Sequence, residues 1–335
     1  MVLLRDIAKI AGVSPATVSR VINNSAEVKE DKRQRVLDAI KQTGFIPNDL
    51  ARSFYKNSAK IIGVILPDIN NSFFNDVVSV IEKEIYGNGY RMMMFYVNGD
   101  MEKLKSAINI LEMLQAEGII LMTNAEDVQE VFRNSTIPVV AFDREAKTNK
   151  KFLYIHSDNY EGGKAATEYM ISCGCKNLIH IKGPQRLSTA RQRFKGYCDV
   201  CDKYHLEKKS LETEYTFDAG RIVGREIIKS YPEVDGVIAA NDIVAVAIMK
   251  EFQYAGKRIP EDVQVIGYDD IALTQMITPE LTTVRQHVDG MGKAAVQAII
   301  DYKEHKEKRE DIIFPVELVR RESTKNTRGQ NADQA

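Results

Sequence analysis

The chain has 335 residues, 44% apolar and 28% charged, with a formal net charge of −1. That length exceeds one ordinary core and suits two or three domains, and the composition is that of a soluble globular protein. No apolar run approaches the roughly 20 residues of a membrane span, and MVLLRDIAK lacks the basic-then-apolar layout of a secretory signal, so a cytoplasmic protein without membrane contact is expected.

Charge is unevenly placed along the chain. Residues 1–60 hold eleven Lys and Arg against six Asp and Glu, a surplus of +5, while the other 275 residues carry −6. A basic head on an acidic body points to a polyanion as the head's partner. Leu4 to Asn23 reads LRDIAKIAGVSPATVSRVIN. Ile7, Ala8 and Ile10 mark the apolar side of a short helix that Gly12 breaks. Ser14 as N-cap and Pro15 at the first helical position open a second helix, with Val18, Val21 and Ile22 turned inward. A third helix, from about Asp31 to Thr43, buries Val36, Leu37 and Ile40 and stops at Gly44. This is an N-terminal all-α helix-turn-helix domain over residues 1–46. The start of its second helix suits DNA: backbone N–H groups for phosphate, Pro15 and Ala16 for thymine methyls, Thr17 and Arg20 for hydrogen bonds. A helical bundle that binds protein fits the same pattern.

The run DIAKIAGVSPATVSRVINN, followed by VKEDKRQRVLDAIKQTGFIPNDLARSF, resembles the head of the lactose-repressor (LacI/GalR) family of bacterial transcription regulators. The resemblance implies a homodimer on operator double-stranded DNA, each head reading half of a near-palindrome through Ser14, Pro15, Ala16, Thr17, Ser19, Arg20 and Asn23. It also implies a hinge helix within residues 47–60, with Asn48, Ala51 and Phe54 at the minor groove. Asn48 is a reasonable N-cap, and a helix under ten residues is marginal alone. The family usually has a leucine wedge where this chain has Phe54, a residue that also kinks minor grooves.

From Ile61 the pattern changes. IIGVIL, RMMMFYV, GIILM, PVVAFD, LIHIKG, GVIAA and VQVIGYDD are short β-rich runs separated by helical stretches, the signature of parallel α/β sheets. Two sheets fit in the space, with a break near Ser157-Asp158-Asn159. The expected first lobe covers about 61–157 and 288–308, and the second about 158–287 and 309–323. RESTKNTRGQNADQA, after Arg320, lacks the leucine heptads of a tetramerising coil and reads as a polar end, disordered over 324–335. The four cysteines, Cys173, Cys175, Cys198 and Cys201, allow a zinc site by count, but reduced thiols are the simpler reading. No metal or cofactor is expected. GxSxG, P-loop and HExxH motifs are absent, as is GxGxxG after a strand, so no enzyme is expected. Gly162-Gly163 reads as close packing, and His180, inside an apolar strand, as a satisfied core residue.

Open α/β sheets bind ligands beyond the carboxyl ends of their strands. Those ends carry Asn70, Asn71, Phe73 and Phe74, then Asn124, then Asp143 and Arg144. Arg191 and Arg193, Phe217, Asn241 and Asp242, Asp269 and Asp270, and Gln286 follow. Planar amides, carboxylates and guanidinium groups among aromatic rings are what a hydroxyl-rich ligand needs, although any one Asp or Asn is also a common cap or turn residue. Phe73 and Phe74, adjacent at a helix start, point about 100° apart. One core does not readily cover both, so a partly bare ring is expected.

The body also resembles the two-lobed (type I) periplasmic sugar-binding proteins, most closely the ribose-binding type, through NNSFF, FDRE, TARQRFKGY, TFDAGR, AANDIVA, GYDD and VRQHVD. The resemblance implies effector contacts from Asn71, Phe73, Phe74, Asn124, Asp143, Arg144, Arg191, Phe217, Asn241, Asp269 and Gln286. It implies a repressor of a sugar-utilisation operon controlled by a small ribose-like sugar, its ring stacked between Phe73, Phe74 and Phe217. Another sugar on the same scaffold, or a phosphoprotein corepressor in catabolite control, fits the same fold.

Overall fold

Three short helices build the head: α1 (Leu4–Ile10), α2 (Pro15–Asn23) and α3 (Glu30–Thr43). The computed structural model describes residues 2–23, 27–45, 60–125, 128–144, 152–305 and 310–325; the hinge candidates Asn48, Ala51 and Phe54 lie outside them. The chain divides into two units, Met1–Ala59 and Lys60–Ala335. In the first, Ile7, Ala8, Ala11, Val18, Val21, Val36 and Ala39 form the core. The turn between α1 and α2 depends on Gly12, whose φ of +65° is costly for a residue with a Cβ. There the Val13 N–H reaches back to the Ala8 carbonyl at 3.0 Å. The Ser14 hydroxyl caps α2 by accepting from the Thr17 N–H at 3.2 Å, and Gly44, φ +62°, ends α3. Two expected core residues face solvent instead, Ile10 (51% exposed) and Leu37 (44%). The inward stripe of α3 runs Val36, Ala39, Ile40, and Leu37, about 100° on from Val36, falls outside it.

The second unit holds two six-stranded sheets. The first contains β1 (Ile61–Leu66), β2 (Arg91–Tyr96), β3 (Gly118–Leu121), β4 (Val139–Phe142), β5 (Phe152–Ser157) and β11 (Ile312–Phe314), in the order β11-β5-β4-β3-β1-β2. Its helices are α4 (Ser72–Gly87), α5 (Met101–Met113), α6 (Gln129–Phe132) and α11 (Val288–His305). The second contains β6 (Leu178–Lys182), β7 (Lys209–Glu212), β8 (Gly236–Ile238), β9 (Gln264–Asp269), β10 (Thr282–Gln286) and β12 (Val316–Val319), in the order β12-β10-β9-β8-β6-β7. It carries α7 (Asn159–Ser172), α8 (Ser188–Lys203), α9 (Phe217–Ser230) and α10 (Asp242–Tyr254). Both sheets have the same wiring, and among the described pairings only β10 with β12 is antiparallel.

β1, β3, β4 and β8 are continuous apolar runs because helices cover both faces. In β1, Ile62, Val64 and Leu66 join the core shared with α4 and α11. Ile65 faces the opposite core, with Leu104, Ile108 and Leu111 of α5. The chain crosses between lobes after Ser157, after Gln286 and after Phe314. The first crossing falls where the sequence placed it. The last does not: Ile312–Phe314, expected in the second lobe, pairs in parallel with Ile155–Ser157 of the first. The end expected to be disordered from residue 324 is docked through Lys325. Ser323 and Thr324 are buried, the Ser323 hydroxyl donates to the Val265 carbonyl at 2.6 Å, and the Lys325 N–H donates to Gln264 Oε1 at 2.8 Å. The four cysteines are free thiols, and burial pushes Cys175 up to about 12. Among the described residues no helix is long and apolar enough to cross a membrane.

Candidate functional site

The strand ends of the two lobes meet at a small cavity lined by Asn71, Phe73, Asp143 and Arg144 of the first lobe and Thr189, Arg193, Tyr215, Asn241, Asp269 and Gln286 of the second. Local structure fixes several of these. Asn71 ends the β1 loop as the N-cap of α4, its Oδ1 accepting from the Phe73 N–H at 3.1 Å. Asn241 plays the same part after β8, accepting from the Val244 N–H at 3.0 Å. Asp143 and Asp269 have φ of +66° and +114°. Left-handed backbone at a residue with a Cβ stores roughly 1–3 kcal/mol and gathers at functional positions.

Charge in the cleft is balanced and tightly braced. Arg193 Nε donates to Asn159 Oδ1 at 2.8 Å and Nη1 to the Ala240 carbonyl at 2.9 Å. The guanidinium lies 3.5 Å from the Tyr268 ring centroid and 3.7 Å from Asp269 Oδ1. Gln286 Nε2 donates to the same Asp269 oxygen at 2.8 Å. Arg144 Nε sits 3.5 Å from Asp143 Oδ2, and its guanidinium lies 5.2 Å from the Phe74 ring and 5.9 Å from Tyr215. It therefore occupies the slot between an aromatic ring of each lobe. Burial pushes the Asp143 carboxyl up, against the pull of Arg144 and Arg193. Burial also lifts Asp269 to about 7, with Asp143 adding to the rise and Arg193 opposing it.

The cleft is also where hydrogen bonding is incomplete. Among the described residues, seven buried side-chain polar atoms have no hydrogen-bond partner in the protein. Four belong to cleft residues: Asp143 Oδ1, Arg144 Nε, Arg144 Nη1 and Gln286 Oε1. Each such atom costs roughly 1–3 kcal/mol until something satisfies it. Two donors and two acceptors point to a ligand carrying both, as a polyol does. The space in the cleft is about 10 Å³, roughly one water, too small for a sugar ring in this conformation.

Seven effector candidates thus line one cavity: Asn71, Phe73, Asp143, Arg144, Asn241, Asp269 and Gln286. Phe74 does not line it. Phe73 and Phe74 are 3% and 1% exposed, both within the core of the first lobe. The partly bare ring is corrected on this point: the rings meet edge to face at 5.4 Å, and core and cleft walls together cover both. Arg191 is exposed and donates to the carbonyls of Gln185 and Arg186 at 2.9 and 2.8 Å. Arg193 takes the cleft position, since residues two apart on a helix point roughly 200° apart. The inward stripe of α8, with Ala190, Arg193, Tyr197 and Val200 buried, carried that signal in its spacing. Phe217 opens α9 and is 36% exposed, with Lys250 5.8 Å from its ring; Tyr215 lines the cleft instead. Thr216 caps α9, which makes Tyr215 the last loop residue before the cap, a position the Thr216 capping signal marks in the sequence. Thr189 left no sequence signal. Asn124 lies outside the cavity lining, and its buried Oδ1 has no partner. His180 is a core residue, held neutral because burial lowers it to about 3, but its Nδ1 is unpartnered rather than satisfied.

In the head, Ser14, Pro15, Ala16 and Arg20 are exposed, and Thr17 and Ser19 are half-buried along α2, which Asn23 ends. The Ser14 and Thr17 hydroxyls lie 2.9 Å apart.

Residues 3–48 match the family of bacterial regulatory proteins, lacI family, and residues 167–324 match the periplasmic binding protein-like domain. The ribose operon repressor of Halalkalibacterium halodurans is 34% identical over 338 residues, covering 100% of both chains. A periplasmic binding protein/LacI transcriptional regulator from Alkaliphilus metalliredigens, solved with D-xylulofuranose, is 31% identical with a TM-score of 0.72, covering 80% of this chain and 100% of that one. A LacI family regulator from Enterococcus faecium, solved with bound ribose, is 26% identical with a TM-score of 0.71, covering 79% and 98%.

Proposed function

The chain belongs to the lacI family of bacterial regulatory proteins, and we propose from that premise that it is a homodimeric repressor whose operator affinity is lowered when the cleft of each body closes on D-ribose. The observation that carries the reading is the set of unpartnered donors and acceptors on Arg144, Asp143 and Gln286, at a slot between Phe74 and Tyr215. Carboxylates and guanidinium groups recognise vicinal hydroxyls through paired, charge-assisted hydrogen bonds. Two of each sign in one cleft suit a neutral polyol better than a sugar phosphate. Aromatic faces cover the apolar side of a furanose ring. The relatives of similar sequence that carry or are named for five-carbon sugars support the same class.

Each head reads half of a near-palindromic operator, because a two-fold dimer presents two identical surfaces. Pro15, Ala16, Thr17 and Arg20 meet base edges, and Ser14 and Ser19 meet backbone. Sugar draws the lobes together about the three crossings, and operator and sugar affinities are then coupled reciprocally. The test is titration calorimetry with D-ribose, D-xylulose and a hexose panel, paired with operator anisotropy at fixed salt, since phosphate contacts make affinity steeply salt-dependent. Ribose binding that weakens operator binding is the expected result. A chain that binds operator but ignores all pentoses refutes the reading, and tighter binding of D-xylulose reassigns the sugar.

A further inference from the structure

We propose that Asn159, which does not line the sugar cleft, is the positioning residue that ties Arg193 to the first crossing between the lobes. The inference rests on the sugar-responsive reading above and names a route within it.

Asn159 is 2% exposed and lies two residues beyond the last residue of β5. Both ends of its amide are engaged, in different lobes. Oδ1 accepts from Arg193 Nε at 2.8 Å, and Nδ2 donates to the Ser157 carbonyl at 3.0 Å. The side chain is not needed to start α7, because Asp158 supplies the cap by accepting from the Glu161 N–H at 3.0 Å. The receiving peptide is held in the first lobe: the Asp158 N–H donates to the Phe314 carbonyl at 2.8 Å, which ties the first crossing to the third, and the Ser157 hydroxyl contacts Met291 of α11. On the other side, α7 and α8 touch backbone to backbone. A Cβ on Gly163 would collide with the Arg193 carbonyl, and one on Gly196 with the Tyr160 carbonyl. A shift of Arg193 on meeting a ligand therefore has little slack before it reaches Asn159. Through Asn159 it reaches a peptide shared by two of the three crossings.

The test uses the full-length chain, D-ribose, and a labelled duplex selected by that chain from a random-sequence pool. Asn159→Asp keeps an acceptor for Arg193 but sets an oxygen against the Ser157 carbonyl. It is expected to fold, to bind operator normally without sugar, and to keep ribose affinity within about threefold. The ratio of operator affinities without and with saturating ribose should fall from the roughly 5–150-fold of ordinary allosteric coupling to within about twofold of one. Asn159→Ala, which also removes the brace on Arg193, is expected to lose both the ratio and part of the ribose affinity. An Asn159→Asp chain that keeps the parental ratio overturns the proposal, and so does one that no longer binds ribose, since Asn159 would then belong to the binding site itself. If the parent chain shows no ribose response at all, the proposed function fails, and this inference with it.

Discussion

Replacing Arg193 and Arg191 separately by alanine tests the cleft most directly, because the two lie two residues apart and only Arg193 lines the cavity. Arg193 is 6% exposed. Its removal leaves Asn159 Oδ1 and the Ala240 carbonyl without their donors and Asp269 without its nearest cation. Breaking a buried ion pair from one side costs about 3–5 kcal/mol, a large share of the roughly 5–15 kcal/mol that holds a typical fold. Arg191 gives up two exposed hydrogen bonds that water replaces, so its loss should cost under about 1 kcal/mol. Urea unfolding followed by circular dichroism gives the stabilities, and calorimetry with ribose gives the affinities. Arg193→Ala should be destabilised several-fold more than Arg191→Ala and bind no sugar, while Arg191→Ala binds as the parent does. Should Arg193→Ala prove too unstable to purify, Arg193→Lys keeps the charge, loses the planar fork, and should still bind poorly. Sugar binding lost in Arg191→Ala and kept in the Arg193 variants would refute the assignment of the cleft wall.

Phe74→Ala removes a core ring that is 1% exposed and should cost about 3–5 kcal/mol of stability, seen as a lowered urea midpoint; a variant as stable as the parent contradicts its burial. Asp269 is lifted by burial to about 7, so the folded chain holds an extra proton between about pH 4 and 7 relative to the unfolded one. This group's contribution is therefore greatest below pH 4 and declines as pH rises to about 7; Asp269→Asn should flatten that part of the stability profile, measured by urea midpoints from pH 4 to 8. Arg20→Ala, at an exposed position on α2, should weaken operator binding by about 1–3 kcal/mol with unchanged unfolding, read by anisotropy at fixed salt. Gly163→Ala forces a methyl into the Arg193 carbonyl and should lower both stability and ribose affinity, by calorimetry beside thermal unfolding.

The sequence carried the fold well where periodicity and punctuation agree. Gly12, Ser14-Pro15 and Gly44 mark turns and caps that each require a particular residue type, and all three act as read. Strands such as IIGVIL announced themselves because both faces are covered. Harder to read was anything decided by partners distant in the chain. Ile312–Phe314 belongs to the first sheet only because β5 leaves an edge open beside it. The docking of Thr324 and Lys325 depends on Gln264 and Thr282, some 40 to 60 residues away. At the cleft, strand-end polarity points to most of the residues that line the cavity, whereas the motif resemblance points to Arg191 and Phe217 where helix phase and capping favour Arg193 and Tyr215. Phe73 and Phe74 are both covered because the facing lobe is also a wall, with Ile271 in the same buried cluster.

The discontinuous lobes have a consequence for synthesis. Among the described residues, the core of the head is built from residues 4–45 alone, so the reading head can fold while the ribosome is still translating, as leading domains commonly do. The first sheet stays one strand short until 312–314 emerge, and α11, which seals its core, comes only just before. A stop codon between about residues 60 and 288 would thus release a finished head on an unfinished body, a fragment able to meet DNA but with no sugar to answer to.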